Sequence, residues 1–125
     1  MKTISTPNAP AAVGPYSQAI QTGDLLFLSG QIPLVPETGL LVSENIAEQT
    51  EQVMKNMRAV CEAAGGNLSK IAKCTVFMTD LAQFQTMNEI YAKHFGDHKP
   101  ARSTIQVAAL PRGASVEIEA IMYLK

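Results

Sequence analysis

The sequence predicts an α+β fold in which two helices cover one face of a mixed sheet. Two segments, roughly residues 45–64 and 80–95, carry apolar side chains at helical spacing. Apolar or alternating segments typical of strands precede, separate and follow them. The order is therefore strands, helix, strand, helix and two strands, which places both helices on one face and leaves the other face uncovered.

The first helix is predicted from its ends as well as from its apolar stripe. Asn45 can cap its start, with Glu48 three residues later in a capping-box arrangement. Gly65-Gly66 can end it, because glycine adopts the left-handed conformation that follows many helices. The residues expected to face the core are Ile46, Val53, Met54, Met57, Val60, Cys61 and Ala64.

The second helix is expected to begin near Asp80 and to end at Gly96. His94 lies in its last turn, where the helix dipole favours positive charge. The residues predicted to form its buried stripe are Phe84, Met87, Tyr91 and Phe95.

Five segments are predicted to form strands. Tyr16 to Gln21 is extended, and Gly23-Asp24 then turns the chain into Leu25–Ser29, a continuous apolar run typical of a strand buried on both faces. The later strands are Ala72–Thr79, Arg102–Ala108 and Ser115–Leu124, and Leu110-Pro111-Arg112-Gly113 supplies the turn before the last one. The positions expected to face the core are Ala72, Cys74, Val76 and Met78, then Val116, Ile118, Ala120, Met122 and Leu124. Glu117 and Glu119 share the opposite face, about 7 Å apart.

Composition indicates a single domain spanning residues 1–125 with few charges. Charged residues make up 17% of the chain, against about a quarter in ordinary proteins, which favours burial of some surface in a homo-oligomer. The formal net charge of -1 and the absence of a basic run argue against nucleic acid as an obligate partner. No signal-peptide core or membrane-length apolar run is present. Cys61 and Cys74 fit small buried hydrophobes, so a reducing cytoplasmic location is expected.

Several candidate sites carry little weight. His94 and His98 have a spacing that can bind zinc, but no third ligand completes the set, and no metal site is predicted. Ser17 and Ser29 lack the Gly-x-Ser-x-Gly context of a nucleophilic serine. Tyr16, taken alone, is best explained as a packed core tyrosine.

Arg102 is the strongest candidate for a binding residue. It lies at the start of a predicted strand, where its planar guanidinium can hold a small carboxylate through two parallel hydrogen bonds. Glu117, on the next predicted strand, can then move protons beside the bound acid. The structural alternative is an ordinary Arg–Glu salt bridge between neighbouring strands.

Taken together, these segments resemble the Rid (reactive intermediate deaminase) family, also called the YjgF-like or L-PSP family. The similarity spans essentially the whole chain, from about Ile4 to the last strand. The segments that carry it are Asn8–Gln18, Ser29–Pro33, Lys99–Ser103 and Val116–Ala120, together with Thr75-Val76-Phe77 and Asn88-Glu89-Ile90-Tyr91.

The resemblance implies a chorismate-mutase-like fold with a mixed six-stranded sheet, assembled as a homotrimer around a central barrel with ligand clefts at the subunit interfaces. It also implies cofactor-independent hydrolysis of imines and enamines, such as 2-aminoacrylate, to 2-keto acids and ammonia. The family's site residues map to Tyr16, Ser29, Arg102 and Glu117. Arg102 would hold the substrate carboxylate, and Glu117 would activate water and shuttle a proton.

Ser29 and Tyr16 would then orient the nitrogen or the water, and Gly30 would allow close approach of the backbone. One departure from the family pattern is Thr104, where many members carry cysteine. Backbone contacts from this position survive the change, so Thr104 is still expected to bind substrate.

Two alternatives to the imino-acid and enamine deaminase remain open. One is a non-catalytic regulator that binds 2-keto acids through Arg102, and the other is a chaperone-like or RNA-directed protein. Glu117 favours the enzyme, because binding a carboxylate does not need a second carboxylate nearby.

Overall fold

The computed structural model describes residues 1–125 and confirms the mixed α+β architecture. Its six strands are β1 (Lys2–Ile4), β2 (Ala19–Thr22), β3 (Leu25–Gln31), β4 (Ile71–Met78), β5 (Ala101–Gln106) and β6 (Val116–Tyr123). Its two long helices are α1 (Ile46–Ala63) and α2 (Phe84–Phe95). The sheet order is β1-β2-β3-β6-β4-β5, and only the β4–β5 pair is parallel. Neither helix is long and apolar enough to cross a membrane.

Helix α1 begins and ends as the sequence predicts, with one difference at its cap. The Asn45 side chain accepts a hydrogen bond from the Glu48 backbone N–H at 3.0 Å. The Asn45 backbone N–H donates to the Ser43 hydroxyl rather than to Glu48, so only half of the capping box forms. At the other end, Gly65 has a φ of +86°, and the Gly66 N–H donates to the Cys61 carbonyl at 2.9 Å. This is a Schellman cap.

The core lies between the helices and one face of the sheet. The predicted α1 stripe is buried from Ile46 to Cys61, with Ala64 packed at its edge. In α2, Met87, Tyr91 and Phe95 are buried and Phe84 is partly buried. The α2 segment begins with a short 3-10 turn, Leu81–Gln83, which Asp80 caps through the Ala82 N–H.

Helix α1 also buries polar residues that sequence reasoning did not single out. The Gln49 side chain donates to the Ser43 carbonyl and accepts from the Ser115 N–H, at 2.9 and 2.8 Å. The Asn56 amide donates to the Ile32 and Leu34 carbonyls. These bonds satisfy backbone groups that would otherwise be buried without partners, and they tie the loop after β3 and the start of β6 to the helix.

Strand β3 corrects the expectation that the run Leu25–Ser29 is buried on both faces. Leu26 and Leu28 are buried, but Leu25 and Phe27 are 39% and 42% exposed. The strand also continues past Gly30 to Gln31, with an irregularity in its pairing to β6. The chain has helices for only one face of the sheet, so alternate apolar residues stay uncovered.

Strand β4 corrects the placement of Ala72 in the core. The pairing with β6 shifts register between Ile71 and Lys73, so Ile71 is buried and Ala72 is exposed. Beyond this irregularity Cys74, Val76 and Met78 face the core as predicted. At the N-terminus, β2 begins at Ala19 rather than at Tyr16, and β1 is too short for its pattern to have been recognised.

The sheet face opposite to the helices is uncovered within the chain, as the element order predicts. Its exposed apolar side chains come from three strands and are Leu25, Phe27, Ile105 and Tyr123. This face also carries Glu117 and Glu119, which alternate with the buried residues of β6.

Candidate functional site

The predicted site residues lie in two separate clefts. Arg102 lines a cleft of about 390 Å³ at the end of α2. A larger cleft of about 640 Å³ is lined by the other group, Tyr16, Ser29, Gly30 and Glu117. One copy of the chain therefore does not bring the predicted site residues together in one cleft.

Sheet topology explains why Arg102 and Glu117 are apart. Strand β4 lies between β5 and β6, so the two residues are not on neighbouring strands. Arg102 pairs with Cys74, which faces the helices, whereas Glu117 pairs with Phe77, which faces the other way. The predicted alternative of an Arg–Glu salt bridge between neighbouring strands is wrong. Within one copy, Glu117 therefore does not lie beside Arg102.

Arg102 keeps an uncompensated positive charge. Its Nη1 donates to the Asn88 side-chain oxygen at 2.7 Å. Its guanidinium carbon lies 4.8 Å from the centre of the Tyr91 ring and 5.4 Å from that of Phe84. The only ion pair in the structure joins His94 to Glu51, so no carboxylate balances Arg102. A partly buried guanidinium with neutral neighbours favours a bound anion.

Two further polar atoms in this region lack hydrogen bonds. The Thr104 hydroxyl oxygen, two residues along β5 from Arg102, is buried without a partner. The Tyr91 hydroxyl is likewise buried and unpartnered, and burial raises its pKa. Thr104 therefore lies on the same sheet face as Arg102, as a shared binding role requires.

The second cleft holds Glu117 against the backbone of β3. A Cβ atom built on Gly30 would lie 2.8 Å from the Glu117 Cδ, so only glycine leaves room for this carboxylate. Ser29 donates its hydroxyl proton to the Ser17 carbonyl at 2.6 Å. The Ser29 oxygen is thereby oriented as an acceptor for an N–H or water hydrogen.

Glu117 is electrostatically suited to proton transfer. Burial raises the pKa of its carboxyl, and the negative charge of Glu119 raises it further. A carboxylate with a raised pKa is a stronger base, and at a given pH a larger fraction of it carries the proton that a general acid donates. Tyr16 corrects the core-tyrosine interpretation, because its side chain is 54% exposed at the mouth of this cleft.

Sequence reasoning missed the residues that shape the clefts. The sequence pattern places Tyr91 in the buried stripe of the second helix and does not indicate that Tyr91 or Asn88 contacts Arg102. Gln18 is buried and accepts from the Thr6 N–H at 2.7 Å while donating to the Pro10 carbonyl at 2.8 Å, which anchors the N-terminal loop. Arg112, which lines the larger cleft, has a φ of +60° and donates to the Gly39 carbonyl at 3.1 Å. A glutamine within a turn-rich segment and an arginine before glycine are weak signals by themselves.

The remaining candidates have structural partners. His94 Nε2 lies 2.9 Å from the Glu51 carboxylate, and its hydrogen bond lowers the pKa of Glu51. His98 Nε2 donates to the Ile71 carbonyl at 2.6 Å, so the two histidines do not converge. No cluster of three or more potential metal ligands is present. Cys61 and Cys74 are buried and unpaired, and burial raises the pKa of Cys61 to about 12.

Comparison with known proteins places this arrangement in a family. The sequence model described as Endoribonuclease L-PSP matches residues 6–124. Reactive Intermediate Deaminase A, chloroplastic, of Arabidopsis thaliana is 55% identical over 98% of this chain, which covers 66% of the plant protein. The 2-iminobutanoate/2-iminopropanoate deaminase of Mus musculus is 48% identical over 96% of this chain and 89% of its own length.

Solved structures agree with this assignment. The crystal structure of E. coli TdcF with bound serine superposes with a TM-score of 0.94 at 43% identity, covering 98% of each chain. The match therefore extends over nearly the whole fold, including the strands that carry Arg102 and Glu117. The chain belongs to the L-PSP family, which includes the reactive intermediate deaminases.

Proposed function

We propose that this protein hydrolyses 2-iminobutanoate, 2-iminopropanoate and the related 2-aminoacrylate-type enamines to 2-keto acids and ammonia, without a cofactor. The observation that carries the proposal is the Arg102 guanidinium, which is hydrogen-bonded to the neutral Asn88 side chain and has no carboxylate partner. It suits a small substrate that bears one carboxylate. The names of the plant and mouse relatives support this substrate class, and the serine bound to E. coli TdcF is an acid of similar size.

The proposed enzyme is a homotrimer whose sheets line a barrel and whose sites form between copies. Arg102 and Thr104 of one copy would meet Tyr16, Ser29, Gly30 and Glu117 of the next. Two observations support this assembly. Each copy carries the two groups on opposite sheet faces, and apolar side chains such as Phe27 and Ile105 lie exposed on the uncovered face.

In the proposed mechanism Arg102 holds the substrate carboxylate through two hydrogen bonds, and Thr104 contributes a further polar contact. An enamine first becomes the imine by taking a proton on its terminal carbon. Glu117 removes a proton from water as the oxygen bonds to the carbon of the protonated imine, and the C=N electron pair moves to nitrogen. Glu117 returns this proton to the nitrogen of the carbinolamine. The C–N bond then breaks as the hydroxyl oxygen forms the C=O bond, ammonia leaves, and the hydroxyl proton passes to Glu117, which releases it to solvent.

Ser29 and Tyr16 are proposed to orient the reacting groups. The Ser29 oxygen, whose proton is committed to the Ser17 carbonyl, can accept a hydrogen bond from the imine N–H or the water. Gly30 lets Glu117 approach the strand closely. A cytoplasmic location belongs to the same proposal and is supported by the two unpaired cysteines.

Other functions on the same fold are less well supported. A regulator that only binds 2-keto acids would need Arg102 but not a carboxylate of raised pKa in an adjoining half-site. Although the family description names an endoribonuclease, the uncovered sheet face carries Glu117 and Glu119, and the net charge is -1. Negative charge on that face repels a nucleic-acid backbone.

Arg102→Ala tests the proposal directly. A pyridoxal enzyme generates 2-aminoacrylate, and pyruvate release is followed with and without this protein. We expect the wild-type protein to accelerate release and Arg102→Ala to lose that effect by more than about a hundredfold, which corresponds to about 3 kcal/mol of charge-assisted binding. Arg58→Ala, which removes an arginine outside both clefts, should behave like wild type.

Two outcomes would contradict the proposed function. If the wild-type protein does not accelerate pyruvate release, it is not a deaminase of this substrate. If wild type and Arg102→Ala give equal rates, Arg102 does not bind the substrate carboxylate. Glu117→Gln separates enzyme from regulator, because it should bind pyruvate without turning over the imine. Turnover at the wild-type rate would remove Glu117 from the mechanism.

A further inference from the structure

Three residues on one face of α2 contact the Arg102 guanidinium. Phe84, Asn88 and Tyr91 are spaced by four and three residues, which places them on a single helical face. All three contact the Arg102 guanidinium, through one hydrogen bond and two aromatic rings. We call these three residues the arginine seat.

The seat restricts which part of the guanidinium remains available. Guanidinium groups only donate hydrogen bonds, and the Asn88 oxygen already accepts from Nη1 at 2.7 Å. The two ring faces lie against the guanidinium carbon at 4.8 and 5.4 Å. Tyr91 is itself held by Phe95, with ring centres 4.7 Å apart. The nitrogen atoms not bonded to Asn88 are left to bind a carboxylate.

The seat is also electrically neutral. A carboxylate in place of Asn88 would orient Arg102 equally well, but it would cancel the charge that attracts an acidic substrate. An amide oxygen orients the guanidinium and leaves its full charge available. Asn88 therefore orients the guanidinium and also leaves its charge uncompensated. An acidic side chain would do only the first, and an apolar side chain only the second.

We propose that Asn88 is a positioning residue that presents Arg102 to the substrate carboxylate while preserving its charge. This inference rests on the proposed function, because it concerns the clamp of that site. It predicts that substrate affinity depends on the charge of the residue at position 88, and that the chemical step does not.

The test compares Asn88→Asp, Asn88→Leu and wild type in imine hydrolysis and in titration with pyruvate. Asn88→Asp should raise KM and the pyruvate Kd about tenfold or more, with kcat nearly unchanged, because its carboxylate pairs with Arg102. Asn88→Leu removes the acceptor but keeps the charge, so its effect on KM should be smaller. Gln85→Glu is the matched control, since it adds the same charge on the exposed side of α2.

Thermal unfolding of each variant shows whether a loss of substrate affinity comes from a displaced Arg102 or from a destabilised fold. A wild-type KM and pyruvate Kd for folded Asn88→Asp would overturn the inference, and so would a larger affinity loss in Asn88→Leu than in Asn88→Asp. If the wild-type protein binds pyruvate but does not hydrolyse the imine, the proposed function fails while the titration still decides the role of Asn88. If wild type hydrolyses the imine but does not bind pyruvate, the comparison of KM values alone decides the role of Asn88.

Discussion

Gly30 and the Glu117 carboxylate occupy adjoining space, and the Cβ of an alanine would come within 2.8 Å of the Glu117 Cδ. In Gly30→Ala the Glu117 side chain must move away from β3. We expect kcat for imine hydrolysis to fall tenfold or more, because a displaced base no longer aligns with water. Thermal unfolding should change little, since the end of a glutamate side chain can move without disturbing the core.

Gly66→Ala provides the matched control. There a new Cβ would lie 2.6 Å from the Cε of Met122, a fully buried core residue. This variant should lose about 1–3 kcal/mol of unfolding free energy through overpacking and keep its activity per folded molecule. If both alanine variants lose activity in proportion to stability, Gly30 has no special relation to Glu117.

Glu119 adjusts the basicity of Glu117. Burial raises the pKa of Glu117 and the Glu119 charge raises it further, so Glu119→Gln should lower that pKa. The active base is the deprotonated carboxylate, so activity is lost as pH falls through the pKa. The acidic limb of the pH–rate profile of kcat/KM should therefore move to lower pH in Glu119→Gln. An unmoved limb would mean that Glu117 is not the titrating base.

At the scale of elements, helix α1 supports the larger cleft through a buried amide. Asn56 donates to the Ile32 and Leu34 carbonyls at 3.2 and 3.0 Å and accepts from Gln52 at 2.9 Å. Ile32 and Leu34 line the Glu117 cleft, so the helix fixes one of its walls. The same helix thus contributes both core burial and cleft geometry.

Asn56→Leu should cost about 2 kcal/mol of unfolding free energy, because it leaves two carbonyls without their donor. The loosened wall should also raise KM, as measured by steady-state kinetics alongside urea unfolding. Asn45→Ala is the control: it removes an exposed cap, should cost about 1 kcal/mol and should leave KM unchanged. Equal KM values in the two variants would mean that the Asn56 hydrogen bonds do not support the geometry of the site.

At the scale of the whole molecule, the two half-sites on opposite sheet faces make the proposed activity a property of an assembly. Native mass measurement should give three times the chain mass of 13.4 kDa. In the proposed trimer the uncovered face forms the inner surface, and Leu25, Phe27 and Tyr123, which are exposed in the single chain, lose their contact with water. A monomer in solution would contradict the assembly.

Mixed oligomers test whether each site draws on two copies. Arg102→Ala and Glu117→Gln should each be inactive alone. After the two are unfolded together and refolded in equal amounts, roughly a quarter of the clefts should join an intact Arg102 to an intact Glu117. Activity should therefore return to about a quarter of the wild-type value. A mixture as inactive as its components would place both residues in a site within one copy.

Local patterns in the sequence determined the elements and the candidate residues. The α1 cap, its Schellman end, the core stripes and the uncovered face all follow from neighbouring residues, which is why the structure confirms them. The predictions of burial were wrong for Ala72 and Phe27, whose exposure depends on strand register and on the layers that pack on the sheet. The irregularity at Ile71–Lys73 exposes Ala72, and exposure of Phe27 depends on which layers the chain can supply.

The relation between Arg102 and Glu117 depends on strand pairing between segments that are distant in sequence. The strands of these two residues follow one another in sequence, yet β4 inserts between them through parallel and antiparallel pairings with distant segments. The inserted strand keeps the two residues apart. Their partners in β4, Cys74 and Phe77, point to opposite faces, so Arg102 and Glu117 do as well. The arginine seat on α2 is likewise a contact between separate elements. The types and spacing of neighbouring residues determine local conformation. The order of the strands in the sheet, and the face to which each side chain points, depend on pairing between distant segments.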